Sequence, residues 1–322
     1  MRKDFIVSGR LFVLLTLVMA LTSGVFAQEK LRDAMDLDGD DIADFTVFRP
    51  SNNVWYTSRS SGGFTFQQFG LSGSDYVAPG DFDGDGKGDI AVWRDTNGGW
   101  YWLNSSDSTF NAIGFGISGD EPVGRDYDGD GKTDLAVIRR TGGNMIWYVL
   151  GTTAGFYSQQ FGFNTDFAAP GDYDGDGKFD FAIQRPGATS GDQATFYIQR
   201  SGDGGFTIQQ WGFSSDLVVP GDYDGDGKTD IAVVREGQPN YEQYLIWYIQ
   251  RSSDMGLTAQ IFGLVDSDLN TQNDYDGDGK TDLAIWRDTD SSFYIYRSSD
   301  QVLSVAQWGQ LDDYPVASYD TH

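Results

Sequence analysis

The side chains with the most chemical capacity in this sequence are aspartates, and they recur at fixed spacing. Six nine-residue segments carry carboxylates at positions 1, 3, 5 and 9. They are Asp36, Asp38, Asp40 and Asp44; Asp81, Asp83, Asp85 and Asp89; Asp126, Asp128, Asp130 and Asp134. The series continues with Asp172, Asp174, Asp176 and Asp180; Asp222, Asp224, Asp226 and Asp230; Asp274, Asp276, Asp278 and Asp282. Carboxylates alternating along a tight turn converge their oxygens on one centre. A backbone carbonyl at position 7, from Ile42, Lys87, Lys132, Lys178, Lys228 or Lys280, completes an all-oxygen shell with position 9. Hard oxygen ligands in that number suit calcium better than magnesium, which dehydrates reluctantly, or zinc, which prefers nitrogen and sulfur. Up to six calcium ions are therefore expected.

Glycine at positions 4 and 6, such as Gly84 and Gly86, lets the backbone turn sharply. The first copy holds Asp41 at position 6, which makes it the site expected to bind most weakly. An EF-hand requires Glu at position 12, where these segments hold Val47, Val92, Val137, Ile183, Val233 or Ile285. The loops are thus expected to run into strands rather than helices.

The acidity of the chain is selective. Of 48 acidic residues only Glu29, Glu121, Glu236 and Glu242 are glutamate, so the remainder call for a specific explanation, which the loops supply. A net charge of −26 repels nucleic acid and anionic lipid, which excludes both as partners. Aromatic residues at 15% argue for a packed core rather than disorder. Cysteine is absent and the single histidine is His322, so thiol or Ser-His-Asp catalysis and a His-bound zinc are not expected. The reading is a non-enzymatic binding module. A calcium-dependent polysaccharide lyase or glycosidase is the alternative, since a carboxylate pair can be drawn from so many aspartates.

The loops punctuate a longer repeat, with starts 45, 45, 46, 50 and 52 residues apart. Thirteen positions after each start stands an arginine: Arg49, Arg94, Arg139, Arg185, Arg235 and Arg287. An aromatic pair follows, as in Trp55-Tyr56 and Phe196-Tyr197, and then an aromatic-glycine step, as in Phe69-Gly70 and Trp211-Gly212. Asp75, Asp120, Asp166, Asp216, Asp268 and Asp312 stand six positions before a motif start, or before Ser318, where another would fall. Each unit reads as four short strands, and the second, such as Ile231 to Arg235, is apolar on both faces as befits a strand between layers. Four strands in 45 to 52 residues predict an all-β propeller of six four-stranded blades over 28–322. Seven blades with a partial last one, or a linear β-solenoid, are the alternatives. The tail from Asp312 is expected to complete blade one.

Arg2, Lys3 and Arg10 precede an apolar run from Leu11 to Val25, and Val25-Phe26-Ala27 offers a small-residue cleavage site. Residues 1–27 are therefore read as a signal peptide, too short to span a bilayer, which directs the chain to a secreted, cell-surface or periplasmic location without membrane insertion.

Phe69-Gly70 followed by Ala78-Pro79-Gly80, directly before Asp81, resembles the FG-GAP/VCBS repeat family, related to the calcium-bearing propeller of integrin α-subunits. The resemblance implies a propeller, calcium in the six loops, and extracellular binding or adhesion toward a carbohydrate or a protein. It fixes no ligand.

The repeated Arg and Asp fall opposite each other across the hairpin that carries the acidic loop; for Arg49, whose own unit holds Lys30 at that place, Asp312 of the tail is the expected partner. Salt bridges that set strand register and a ring of groups for an anionic ligand are both compatible with that placement. The aromatic pairs likewise suit packing between blades or stacking on sugars. Segments after the repeated arginine lengthen in blade four (Pro186 to Thr195) and blade five (Glu236 to Ile246), on the face opposite the acidic loops. Glu236, Tyr241, Glu242 and Tyr244 make the blade-five loop the candidate ligand contact.

Overall fold

The strands alternate in burial as their sequences dictate. Second strands such as Ile90–Arg94 and Leu283–Arg287 are β-branched or aromatic runs buried on both faces. Third strands such as Asn144–Gly151 bury every other residue, and fourth strands such as Phe64–Gln68 face solvent. A computed structural model describes residues 33–317. They form six antiparallel four-stranded sheets, each ordered first, second, third and fourth strand outward from a common axis.

Each sheet is a blade, and each hydrophobic core lies at a seam between two blades. Trp93, Trp100 and Trp102 of blade two pack with Leu135 and Val137 of blade three. Val47 of blade one joins Trp286 and Phe293 of blade six, so the sixth core closes the circle. A blade alone covers neither of its faces; the ring covers both, which is why the fold stands as a unit. The first member of every aromatic pair, from Trp55 to Phe293, is at most 1% exposed, which assigns these six side chains to packing rather than to sugar contact.

Blade one is completed from the far end of the chain, as the tail predicted. Tyr314–Pro315 supplies its innermost strand, with Tyr314 opposite Phe48 and Pro315 opposite Val47. Its acidic loop consequently leaves a short 3-10 turn, Asp33–Met35, instead of a hairpin strand. The Asp44 N–H bonds to the Met35 carbonyl at 2.8 Å, where Asp89 bonds to Gly80 in blade two.

Two expectations are corrected. The partner of Arg49 is Asp313, not Asp312: the register that sets Tyr314 against Phe48 puts residue 313 against Arg49, while Asp312 turns into solvent at a φ of 69°. The blade-five segment is not a loop. Its second strand runs to Gln238 and its third begins at Tyr241, a ribbon turned at Asn240 with a φ of 73°. Residues 1–27, Lys30 and Ser318 to His322 lie outside the described residues.

Candidate metal centres and the opposite face

The loop of blade two shows how the sequence builds each site. Asp81 Oδ1 accepts the Gly84 and Asp85 N–H groups at 2.6 and 3.2 Å, and its Oδ2 accepts Gly86 at 2.8 Å. Asp89 accepts the Phe82 N–H at 2.9 Å. The carboxylates thus fold the loop around themselves. Gly86 and its counterparts turn at a φ of 81° to 87°, and Asp41 holds the same left-handed conformation at 64°, so the first loop keeps its shape despite the substitution.

A second element completes each site. The turn between third and fourth strands bends over the loop: Ser105 donates its N–H to Asp89 Oδ1 at 2.6 Å and its hydroxyl to Asp85 at 2.9 Å, and Ser106 reaches Asp83 Oδ2. Ser60, Thr152, Ser201, Ser252 and Ser298 make the same backbone bond in the other blades. These turn residues were missed in the sequence, although Ser-Ser or Thr-Thr recurs at five of the six positions.

What remains unmatched is an oxygen. In Asp38, Asp128, Asp174, Asp224 and Asp276, all at position 3, Oδ1 is buried with no hydrogen-bond donor. Carboxylate oxygens of three loop residues lie within 4.8 Å of one another, as in Asp36, Asp38 and Asp40 or Asp126, Asp128 and Asp134. Burial, reinforced by neighbouring carboxylates, pushes Asp89, Asp134, Asp180, Asp230 and Asp282 up to about 7, and Asp44 and Asp81 to about 6. Buried acceptors crowded this way, without donors, are the donor set a hard cation fits.

The loops are also joined. The position-8 N–H of one loop bonds to the position-1 carbonyl of the loop before: Gly88 to Asp36, Thr133 to Asp81, Phe179 to Asp126, Thr229 to Asp172 and Thr281 to Asp222, at 2.6 to 2.8 Å. Ala43 closes the circle on Asp274 at 2.8 Å. Position-7 lysines lay their stems over the preceding loop's glycine, and Lys87 Nζ donates to the Asp38 carbonyl at 2.9 Å. At the last seam the stem over Gly277 is Ile42.

At the other end of each blade the repeated Arg and Asp meet. Arg94, Arg139, Arg185, Arg235 and Arg287 pair with Asp75, Asp120, Asp166, Asp216 and Asp268 at 2.7 to 2.8 Å, the carboxylates being at most 2% exposed. Each of these arginines, and Arg49, also lies 4.1 to 4.6 Å from the second ring of an aromatic pair, Tyr56 to Tyr294. The N–H following each aromatic-glycine step, such as Leu71 or Ile117, donates to the same Asp. With both partners so occupied, these pairs fix register.

On that face Tyr241, Glu242 and Glu236 are exposed along the blade-five ribbon, and Tyr244 is half-buried opposite Leu264. Nearby, an axial cavity of about 460 Å³ opens between the first strands of blades two to five. Val77, Pro122, Ala168 and Val218 wall it, Tyr76 and Phe167 stand half-exposed on its rim, and the Arg140–Glu121 ion pair lines it.

Fold and loops together define a six-bladed β-propeller with an acidic, cation-type loop in every blade. The family model described as FG-GAP-like repeat matches residues 36–92 and 126–183, stretches that begin in blades one and three. No curated protein matches the sequence. Among solved structures, an arginine-substituted AofleA from Arthrobotrys oligospora is similar at 11% identity and a TM-score of 0.51, over 86% of this chain and 90% of that one. A catalytically inactive virginiamycin B lyase from Staphylococcus aureus, with quinupristin, shares 10% identity over 87% of this chain and 86% of its own, at a TM-score of 0.46. At 11% identity the likeness to the first of these is one of fold alone.

Proposed function

We propose that this protein is an extracytoplasmic binding module whose propeller is held together by calcium. The observation that carries the reading is the donorless Asp oxygen buried in five of the six loops, with further carboxylates gathered beside Asp38, Asp128, Asp174 and Asp224. Position 1, 3, 5 and 9 carboxylates and the position-7 carbonyl would hold the ion, which supplies the positive charge that the buried acids lack. At the ~0.1–1 mM affinity of extracellular modules, a tenfold excess of calcium adds about 1.4 kcal/mol per site. Six such sites approach the roughly 5–15 kcal/mol net stability of a whole domain. With no cysteine for disulfides, this is the chain's means of stapling itself outside the cell.

The metal loops occupy one face, leaving the other for recognition. The axial cavity, with its apolar wall and aromatic rim, and the exposed Tyr241 ribbon are the surfaces we assign to a carbohydrate or protein ligand. A glycan and surface-protein binding screen in millimolar calcium, repeated in EDTA, tests the reading. Calcium-dependent capture of a ligand, lost on substituting Tyr76, Phe167 or Tyr241, supports it. A melting temperature unchanged by EDTA overturns the stapling role.

A further inference from the structure

We propose that the six cation sites are coupled around the ring, so that filling one raises the affinity of its neighbours. The inference rests on the calcium reading above. Its basis is a single peptide unit used twice. In the loop of blade two, the carbonyl of Lys87 is the position-7 ligand expected for that blade's ion, and the N–H of Gly88 belongs to the same plane. That N–H bonds to the Asp36 carbonyl of blade one at 2.7 Å. A cation drawing on the carbonyl polarises the amide, strengthens its N–H as a donor, and fixes the plane's orientation. It thereby fixes the backbone of Asp36, whose side chain is the first ligand of the neighbouring site.

The arrangement repeats at every seam and returns through Ala43 to Asp274, leaving no terminal site among the described loops. Linkage is reciprocal, so the earlier loop also organises the later one. The lysine stems over each preceding glycine add a steric link along the same path. No other element of the metal face is needed.

The test reads amide hydrogen exchange in the whole secreted chain, loop by loop, as free calcium is raised. Coupled sites give protection that develops in all six loops over one narrow calcium range, steeper than a single-site isotherm. Separate hyperbolic curves with a different midpoint for each loop overturn the proposal. Absence of any calcium response in the loops overturns the calcium reading itself, a distinguishable failure.

A variant then localises the coupling. Asp128→Asn with Asp130→Asn silences the loop of blade three. At near-saturating calcium, exchange is expected to accelerate about five-fold or more in the flanking loops, 81–89 and 172–180, and to stay unchanged across the ring in 274–282. An acceleration confined to 126–134, or uniform in all six, overturns coupling between neighbours. The wild-type calcium series decides the question should this variant fail to fold.

Discussion

Arg49 and Asp313, 264 positions apart, form a two-bonded ion pair, Nε to Oδ1 at 2.7 Å and Nη2 to Oδ2 at 2.9 Å. It is the seam's version of the pair that every other blade makes between residues nineteen apart, as in Arg94 and Asp75. The Asp313 carboxylate is fully buried and Arg49 one-fifth exposed. Arg49→Ala strands that carboxylate, and the expected loss is roughly 3 kcal/mol, the low end for a broken buried pair because Arg49 is partly solvated. Arg200→Ala, which removes an exposed pair with Asp203, should leave the midpoint nearly unmoved. Urea denaturation in calcium compares the two.

Stability should fall with rising pH in the metal-free protein and stay nearly level in the calcium-loaded one. Asp89, Asp134, Asp180, Asp230 and Asp282 titrate near 7 in the folded metal-free protein, against 3.8 for the ordinary carboxyl. The folded state therefore binds more protons than the unfolded chain between those values. Its stability is greatest at the acid end and is lost as pH rises through about 7. Calcium displaces these protons, so the loaded protein should lose little stability over the same rise, and the stabilisation that calcium adds should grow with pH. Melting temperatures at pH 5 and pH 8, in EDTA and in calcium, check the divergence; parallel slopes would refute it.

Gln184 is fully buried, and neither its amide nitrogen nor its oxygen has a partner within the protein. Phe48, Trp93, Ile138, Val234 and Trp286 hold the same place in the other blades. Gln184→Ile removes the desolvated amide and is expected to stabilise by about 1–3 kcal/mol, measured as a higher denaturant midpoint.

Ile42 covers Gly277, whereas lysines cover the corresponding glycines of the other five loops. The blade-six site therefore lacks a neighbouring ammonium and should be the tightest. Ile42→Lys adds a repulsion of about 1 kcal/mol at ~7 Å in water, roughly a five-fold weaker site. Calcium titration followed by exchange in 274–282 reads this directly.

Blade count, strand order, the acidic loops and the Arg–Asp pairing are legible in the sequence because each is a periodic pattern with one local geometric cause. Asp312 was misassigned for the complementary reason: in the tail the motif has decayed, and only the register of Tyr314 against Phe48 sets the numbering. The Tyr241 ribbon was hidden because Gln238 and Tyr241 pair across a turn with no Asn-Gly signal. The Gly88-to-Asp36 link and its five counterparts join backbone groups of different repeats, which leave no trace in side-chain spacing. The ligand surface is aperiodic, and repetition carries no information about it.

The strand Tyr314–Pro315 has a consequence for synthesis. A ribosome delivers Asp313 264 residues after Arg49, so throughout that interval the strand of Val47 and Phe48 is paired on its outer edge alone, by Tyr56 and Trp55. Blade one therefore completes its sheet only after the other five blades have been made. A message truncated just before Tyr314 would yield five finished blades and one with an open edge, a species prone to pair with its own copies rather than to close.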